Sequence, residues 1–196
     1  LGAAAAGQAG LIDLASERLA PLSAERSLSF AIAQPIDERQ AVVVERFYPP
    51  DGVHVGIRLG SSFGLYDGAL GKCLLAALPD DELEAALREK PIPAHTERTV
   101  TDPRKLRDEV EQVRERGYAV SQQELNENNA VVAPVIGRGG RPGLFLLALG
   151  FNEQLGGERL REIGELLVGV AREISAAAGL TDGAVAGHST RSGAVG

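Results

Sequence analysis

Apolar positions along the chain change period several times, and each change marks an element. Leu11, Leu14, Ala15, Leu19 and Leu22 recur at spacings of three and four, which line one face of a helix. Pro21 falls inside this stretch and predicts a break, kink or restart there. The Ala- and Gly-rich residues 1–10 have no clear period and read as a frayed helix start or a linker. From Leu28 the period becomes two. Leu28, Phe30 and Ile32 alternate with smaller residues, Val42 to Val44 lead into Glu45-Arg46-Phe47, and Val53, Val55, Ile57 and Leu59 alternate with His54, Gly56 and Arg58. With turns at Pro35–Arg39 and Pro49–Gly52, this predicts three antiparallel strands at 27–34, 40–47 and 53–59.

A glycine-rich stretch, Gly60 to Lys72, runs into an apolar helix at 73–78, and Pro79-Asp80 starts another near 80–89. Residues 90–100 read as an irregular connection. Asp102-Pro103 is a helix start, with an acceptor at the cap and proline at the first helical position. Leu106, Val110 and Val113 mark the buried stripe, and Gly117 closes the helix. Three further strand-like runs follow at 118–122, 130–136 and 144–151, joined in part by the loop 137–143. Leu160, Ile163, Leu167, Val170 and Ile174 then mark a long final helix. Residues 181–196 lack an apolar period and read as a flexible tail. Hairpin-length links between successive strands make the sheet mostly antiparallel. The order of elements predicts an α+β domain over 1–180, with a sheet of about six strands flanked by helices.

Composition narrows the function classes. The 196 residues carry 27 acidic and 20 basic side chains, a formal charge of −7, which argues against nucleic-acid binding by this piece itself. With 44% hydrophobic and 24% charged residues, the chain is neither disordered nor a disulfide scaffold. Cys73 is a single cysteine, so no internal disulfide forms, and His54, His95 and His188 share no metal-ligand spacing. No apolar run approaches the roughly 18–20 residues of a membrane span, and no signal-like pattern opens the chain, so a cytoplasmic protein that needs no membrane is expected. The chain begins at Leu1 and has no methionine, which reads as a piece of a longer protein.

Motifs that could carry chemistry are few. Gly68-Ala-Leu-Gly71-Lys72 resembles the end of a phosphate loop but fails as one, since Tyr66 stands at the earlier glycine and Cys73 at the hydroxyl position. It is either a tight helix start or a place where free backbone N–H groups meet a small anion or carbonyl. Gly137, Gly139 and Gly140 do not form a dinucleotide fingerprint, because Pro142 takes the third position and no helix follows. Cys73 lies on an apolar helix and reads as a packed thiol. Glu124, before Asn126, Asn128 and Asn129, is either a solvated turn or the polar rim of a pocket. The aromatic residues, Phe63 among them, are either core or cavity lining. No nucleophile, base or metal set emerges, so neither catalytic residues nor a cofactor are expected.

In this order, Gly60 with Gly68-Ala-Leu-Gly71-Lys72-Cys-Leu-Leu-Ala76, Thr99-Val-Thr101-Asp102 through Leu106, Val113-Arg114-x-x-Gly117-Tyr118-Ala119 with Glu124, and Ala133-Pro134-Val135 resemble the effector-binding domain of the IclR family of bacterial transcriptional regulators. The resemblance runs from residue 1 to about 180, and Leu1-Gly2 is similar to the join after that family's winged helix. It implies a GAF-like fold, a small-molecule effector, and a homodimer or tetramer. DNA would be contacted only through a winged helix-turn-helix that these residues do not include. The implied effector-binding positions are Val55, Ile57, Phe63, Ala69, Leu70, Gly71, Ser121, Glu124, Asn129, Val131, Ala148 and Gly150. Ser121, Val131, Ala148 and Gly150 replace polar groups that members binding small acids carry. This predicts an effector less polar than glyoxylate or pyruvate, an aromatic or apolar acid, with its carboxylate on the N–H groups of 69–71. The other readings are a stand-alone GAF-like sensor acting on a non-DNA partner and an enzyme using Cys73 or Glu124.

Overall fold

In the computed structural model, which describes residues 2–89 and 91–180, one antiparallel sheet separates two layers of helices. The first helix, α1 (Gly2–Arg26), runs through Pro21 without interruption. Of the break, kink or restart expected at Pro21, neither the break nor the restart occurs. Pro21 faces solvent, while Leu19 and Ser23 on either side of it are buried on the core side. Ser23 Oγ donates to the Tyr48 carbonyl at 3.2 Å and so anchors the turn beyond the proline.

Strands β1 (Ser29–Pro35) and β2 (Gln40–Phe47) form the first hairpin, as the period-two runs predict. The third predicted strand is different. Residues 53–58 are extended but sit outside the sheet, and the ladder is completed by the short β3 (Ser62–Gly64). The helices α2 (Gly68–Ala77), α3 (Asp80–Arg88) and α4 (Pro103–Arg116) follow. Asp102 caps α4 by accepting from the Arg104 N–H, and Gly117 ends it with a φ of 85°, a conformation that costs glycine little. Then come β4 (Ala119–Gln122), β5 (Asn129–Ile136), a single 3-10 turn, β6 (Pro142–Gly150) and α5 (Glu158–Ala177).

The six strands lie in the order β3-β2-β1-β6-β5-β4, with every neighbouring pair antiparallel. Successive side chains alternate between faces, so each strand feeds two cores. Phe30, Ile32, Val131, Ala133, Leu144, Leu146 and Ala148 point toward α1 and α5. Ala31, Ala33, Ala41, Val43, Val132, Phe145 and Leu147 point toward α2, α3 and α4. The predicted tail, 181–196, lies outside the described residues.

Candidate functional site

On the α2 side of the sheet a cavity of about 190 Å³ lies beneath the extended strap of residues 53–58. The strap contributes Val55, Ile57 and Arg58, and β3 contributes Phe63. Strands β5 and β6 supply Ala130, Val132, Leu147 and Leu149. The start of α2 closes one end with Asp67, Gly68, Ala69 and Leu70, and the β4–β5 loop, residues 123–128, rims the other with Leu125, Asn126 and Asn128.

Side chains, rather than a strand ladder, hold the strap. Tyr48 Oη donates to the Ile57 carbonyl at 2.8 Å and accepts from the Ile57 N–H at 3.0 Å. Arg46 donates to the same carbonyl at 2.7 Å, and Ser29 Oγ donates to the Val55 carbonyl at 2.7 Å. This explains the misread strand. Val55 and Ile57 are buried, whereas Val53 and Leu59 are 74% and 51% exposed, so the apolar alternation is real only at its centre.

The cavity has an unusual polar end. A helix leaves its first amide N–H groups without intrahelical partners. In α2 the capping residue does not supply them. Asp67 turns its carboxylate away, accepting from the Gly64 N–H at 2.6 Å and pairing with His95 Nε2 at 3.0 Å. Gly71 N–H is spent on the Asp67 carbonyl and Gly68 N–H on Tyr66. The Ala69 and Leu70 N–H groups have no acceptor among the described residues. Ser121 stands beside them. It is only 3% exposed, its hydroxyl has no partner among the described residues, and a Cβ placed on Gly68 would lie 3.1 Å from its Oγ. Arg58 also reaches the wall and makes no ion pair among the described residues.

Of the expected site residues, Val55, Ile57, Phe63, Ala69, Leu70 and Ser121 meet at this cavity. Four others do not. Val131 and Ala148 point into the opposite core, one residue out of phase with the true lining residues Val132 and Leu147. Gly150 faces that core too, since a Cβ there would come within 2.7 Å of Leu28 and 2.9 Å of Leu155. Asn129 is fully buried, donating to the Leu155 carbonyl at 2.7 Å and to Asn152. Gly71 packs behind the cavity, where a Cβ would meet the Leu65 carbonyl at 2.6 Å. Glu124 turns away from the cavity to the buried Lys72 ammonium, 2.7 Å distant. Arg58, Asp67, Leu125, Ala130, Val132, Leu147 and Leu149 are among the lining residues that the sequence pattern did not single out.

A larger hollow, about 520 Å³, opens between α2, α4 and α5. Two of its polar lining side chains, Arg114 and Ser175, are already committed. Arg114 donates to the carbonyls of Ala76 and Leu78 and to Asp80, and Ser175 donates to the Ile136 carbonyl. Cys73 in its wall is buried, donates to the Val132 carbonyl at 3.4 Å, and has its thiol pushed up to about 12 by burial. Such a thiol is protonated at neutral pH and is a poor nucleophile. Among the described residues no helix is long and apolar enough to cross a membrane, and no three His, Cys, Asp or Glu side chains cluster for a metal.

Residues 3–176 match the family described as "Bacterial transcriptional regulator IclR C-terminal". The chain is 34% identical over 152 residues to the HTH-type transcriptional regulator KdgR of Escherichia coli, covering 75% of this chain and 56% of that protein. It spans between about a third and three fifths of the length of the curated relatives it matches. The fold aligns with the crystal structure of the Thermotoga maritima IclR at a TM-score of 0.77 and 28% identity, over 86% of this chain and 68% of that one. It also aligns with a double mutant of the inducer-binding domain of the Acinetobacter PobR transcription factor, in complex with 3-hydroxybenzoic acid, at a TM-score of 0.71 and 25% identity, over 83% and 95% of the two chains.

Proposed function

The chain belongs to the bacterial transcriptional regulator IclR C-terminal family, and on that premise we propose that it senses a small aromatic or apolar acid in the cavity beneath the strap. The observation that carries this reading is the cavity's division into an apolar body and a donor-rich end. Val55, Ile57, Phe63, Val132, Leu147 and Leu149 suit a ring or short hydrocarbon, and burying it is favourable by roughly 25 cal/mol per Å² of apolar surface. The N–H groups of Ala69 and Leu70, the Ser121 hydroxyl and the Arg58 guanidinium suit a carboxylate and a hydroxyl. A very small polar acid would fill the donor-rich end and leave the apolar body unoccupied. The 3-hydroxybenzoic acid bound by the PobR double mutant has the chemistry this cavity favours.

The effector would act by binding one arrangement of a homodimer or tetramer better than another, and it shifts that equilibrium by no more than its difference in affinity. DNA contact would belong to a winged helix-turn-helix outside these residues. A thermal-shift series tests the effector class. Benzoate and hydroxybenzoates should raise the melting temperature, whereas glyoxylate and pyruvate should not. The reverse ranking rejects the proposal. Arg58→Ala should lower the response to benzoate but not to benzamide.

A further inference from the structure

Lys72 is the one lysine buried among the described residues, with its side chain 5% exposed. An isolated ammonium there would be costly, so its partners decide what it does. It has three N–H donors and meets acceptors on three separate elements. The Val120 carbonyl on β4 lies at 2.9 Å, Glu109 on α4 at 2.5 Å, and Glu124 on the β4–β5 loop at 2.7 Å. The loop beyond Glu124 supplies the cavity rim, Leu125, Asn126 and Asn128. Lys72 itself lies three residues beyond Ala69, a cavity-lining residue whose N–H has no acceptor among the described residues.

The same loop is tied a second time. Thr99 Oγ1 donates to the Glu124 carbonyl at 2.6 Å, and Thr96 Oγ1 donates to the Gln123 carbonyl at 2.7 Å. Gln123 is held at a φ of 61°, a left-handed conformation that a non-glycine residue keeps only when its surroundings impose it. The rim is therefore a loop under constraint, and Glu124 is its only side-chain carboxylate on the buried ammonium.

We propose that Lys72 is a positioning residue for the cavity: through Glu124 it pins the β4–β5 rim against the start of α2, so that rim closure and ligand affinity depend on the Lys72–Glu124 pair. This rests on the effector reading above. Glu109 and Glu124 share the same ammonium, yet only Glu124 belongs to the rim. That difference separates positioning from a general structural role. A charge needed only for folding would make the two carboxylates equivalent for binding. A tie needed for the rim would not.

The test compares Glu124→Gln with Glu109→Gln in the full chain, with benzoate as the probe. Glu124→Gln should weaken benzoate binding about fivefold or more, the lower end of typical coupling between sites. It should also speed amide hydrogen exchange in residues 123–128 by about tenfold without a matching change in β1 and β2. Glu109→Gln should leave both readouts within about twofold of the parent. Equal effects from the two variants, or unchanged loop exchange in Glu124→Gln, would overturn the proposal. If benzoate fails to bind the parent chain, the effector class is wrong and the exchange comparison alone decides the role of Lys72.

Discussion

The two faces of the sheet use the same strands for opposite ends. Toward α1 and α5, Phe30, Ile32, Leu144, Leu146 and Ile163 are fully buried, and the face is a closed apolar layer. Toward α2, the layer is interrupted by a cavity, a buried ion cluster and a helix end with unspent amides. Close packing fixes the sheet's shape from one side and leaves room for a ligand on the other. The proposed sensing site depends on that asymmetry, because a cavity supported by a second soft layer would collapse instead of holding its form.

The sharpest way to break the comparison is to truncate neighbours on β6. Leu146 faces the closed layer and Leu147 the cavity. Leu146→Ala should cost about 4 kcal/mol in chemical denaturation, because a new void opens in a layer that cannot relax. Leu147→Ala should cost about 2 kcal/mol, since that wall already borders space, and should broaden the range of acids that bind. Equal costs, or a changed ligand range in Leu146→Ala, would mean that the faces do not differ as described.

A smaller effect is expected at Gly150. Adding a methyl group there forces it against Leu28 and Leu155, so Gly150→Ala should destabilise by about 1–3 kcal/mol. Benzoate affinity should not change, because the crowding lies on the closed side. Weakened binding at full stability would restore Gly150 to the cavity.

Cys73 sharpens the contrast by showing that the α2 face is open only locally. Its thiol, raised by burial from 9.0 to about 12, should resist alkylation in the folded chain at pH 8 and react on unfolding. The raised value means that folding favours the protonated thiol. Its stabilising contribution is complete below pH 9 and is lost as pH rises through about 12. The smallest expected change is Ser121→Ala. Stability should stay within about 0.5 kcal/mol, while a hydroxybenzoate loses more affinity than benzoate, as isothermal titration would show.

Much of the fold was legible because periodicity reports burial. The amphipathic stripes of α4 and α5, the caps at Asp102 and Gly117, and five of the six strands follow from spacing alone. The strap misled because Val53, Val55, Ile57 and Leu59 alternate like a strand, yet their backbone is held by Tyr48, Arg46 and Ser29. Side-chain partners for a backbone leave no period in the sequence. The site was half legible for a related reason. Strands β5 and β6 are buried on both faces, so Val131-Val132 and Leu147-Ala148 read as continuous apolar runs. Nothing in such a run says which residue lines the cavity, and a one-residue slip exchanges the lining for the opposite core. Lys72 went unnoticed as a buried ion because its carboxylate partners are distant in sequence.

The pairing of β1 with β6 also governs how the chain can come to its fold. Residues 29–33 form the sheet's central ladder with residues 145–149, so the middle of the sheet joins an early segment to a late one. On the ribosome, the first hairpin emerges with one edge unpaired and must wait for residue 149 before that edge is covered. The sheet's centre is thus among its last parts to close, and a chain halted before β6 would present an apolar edge that invites aggregation.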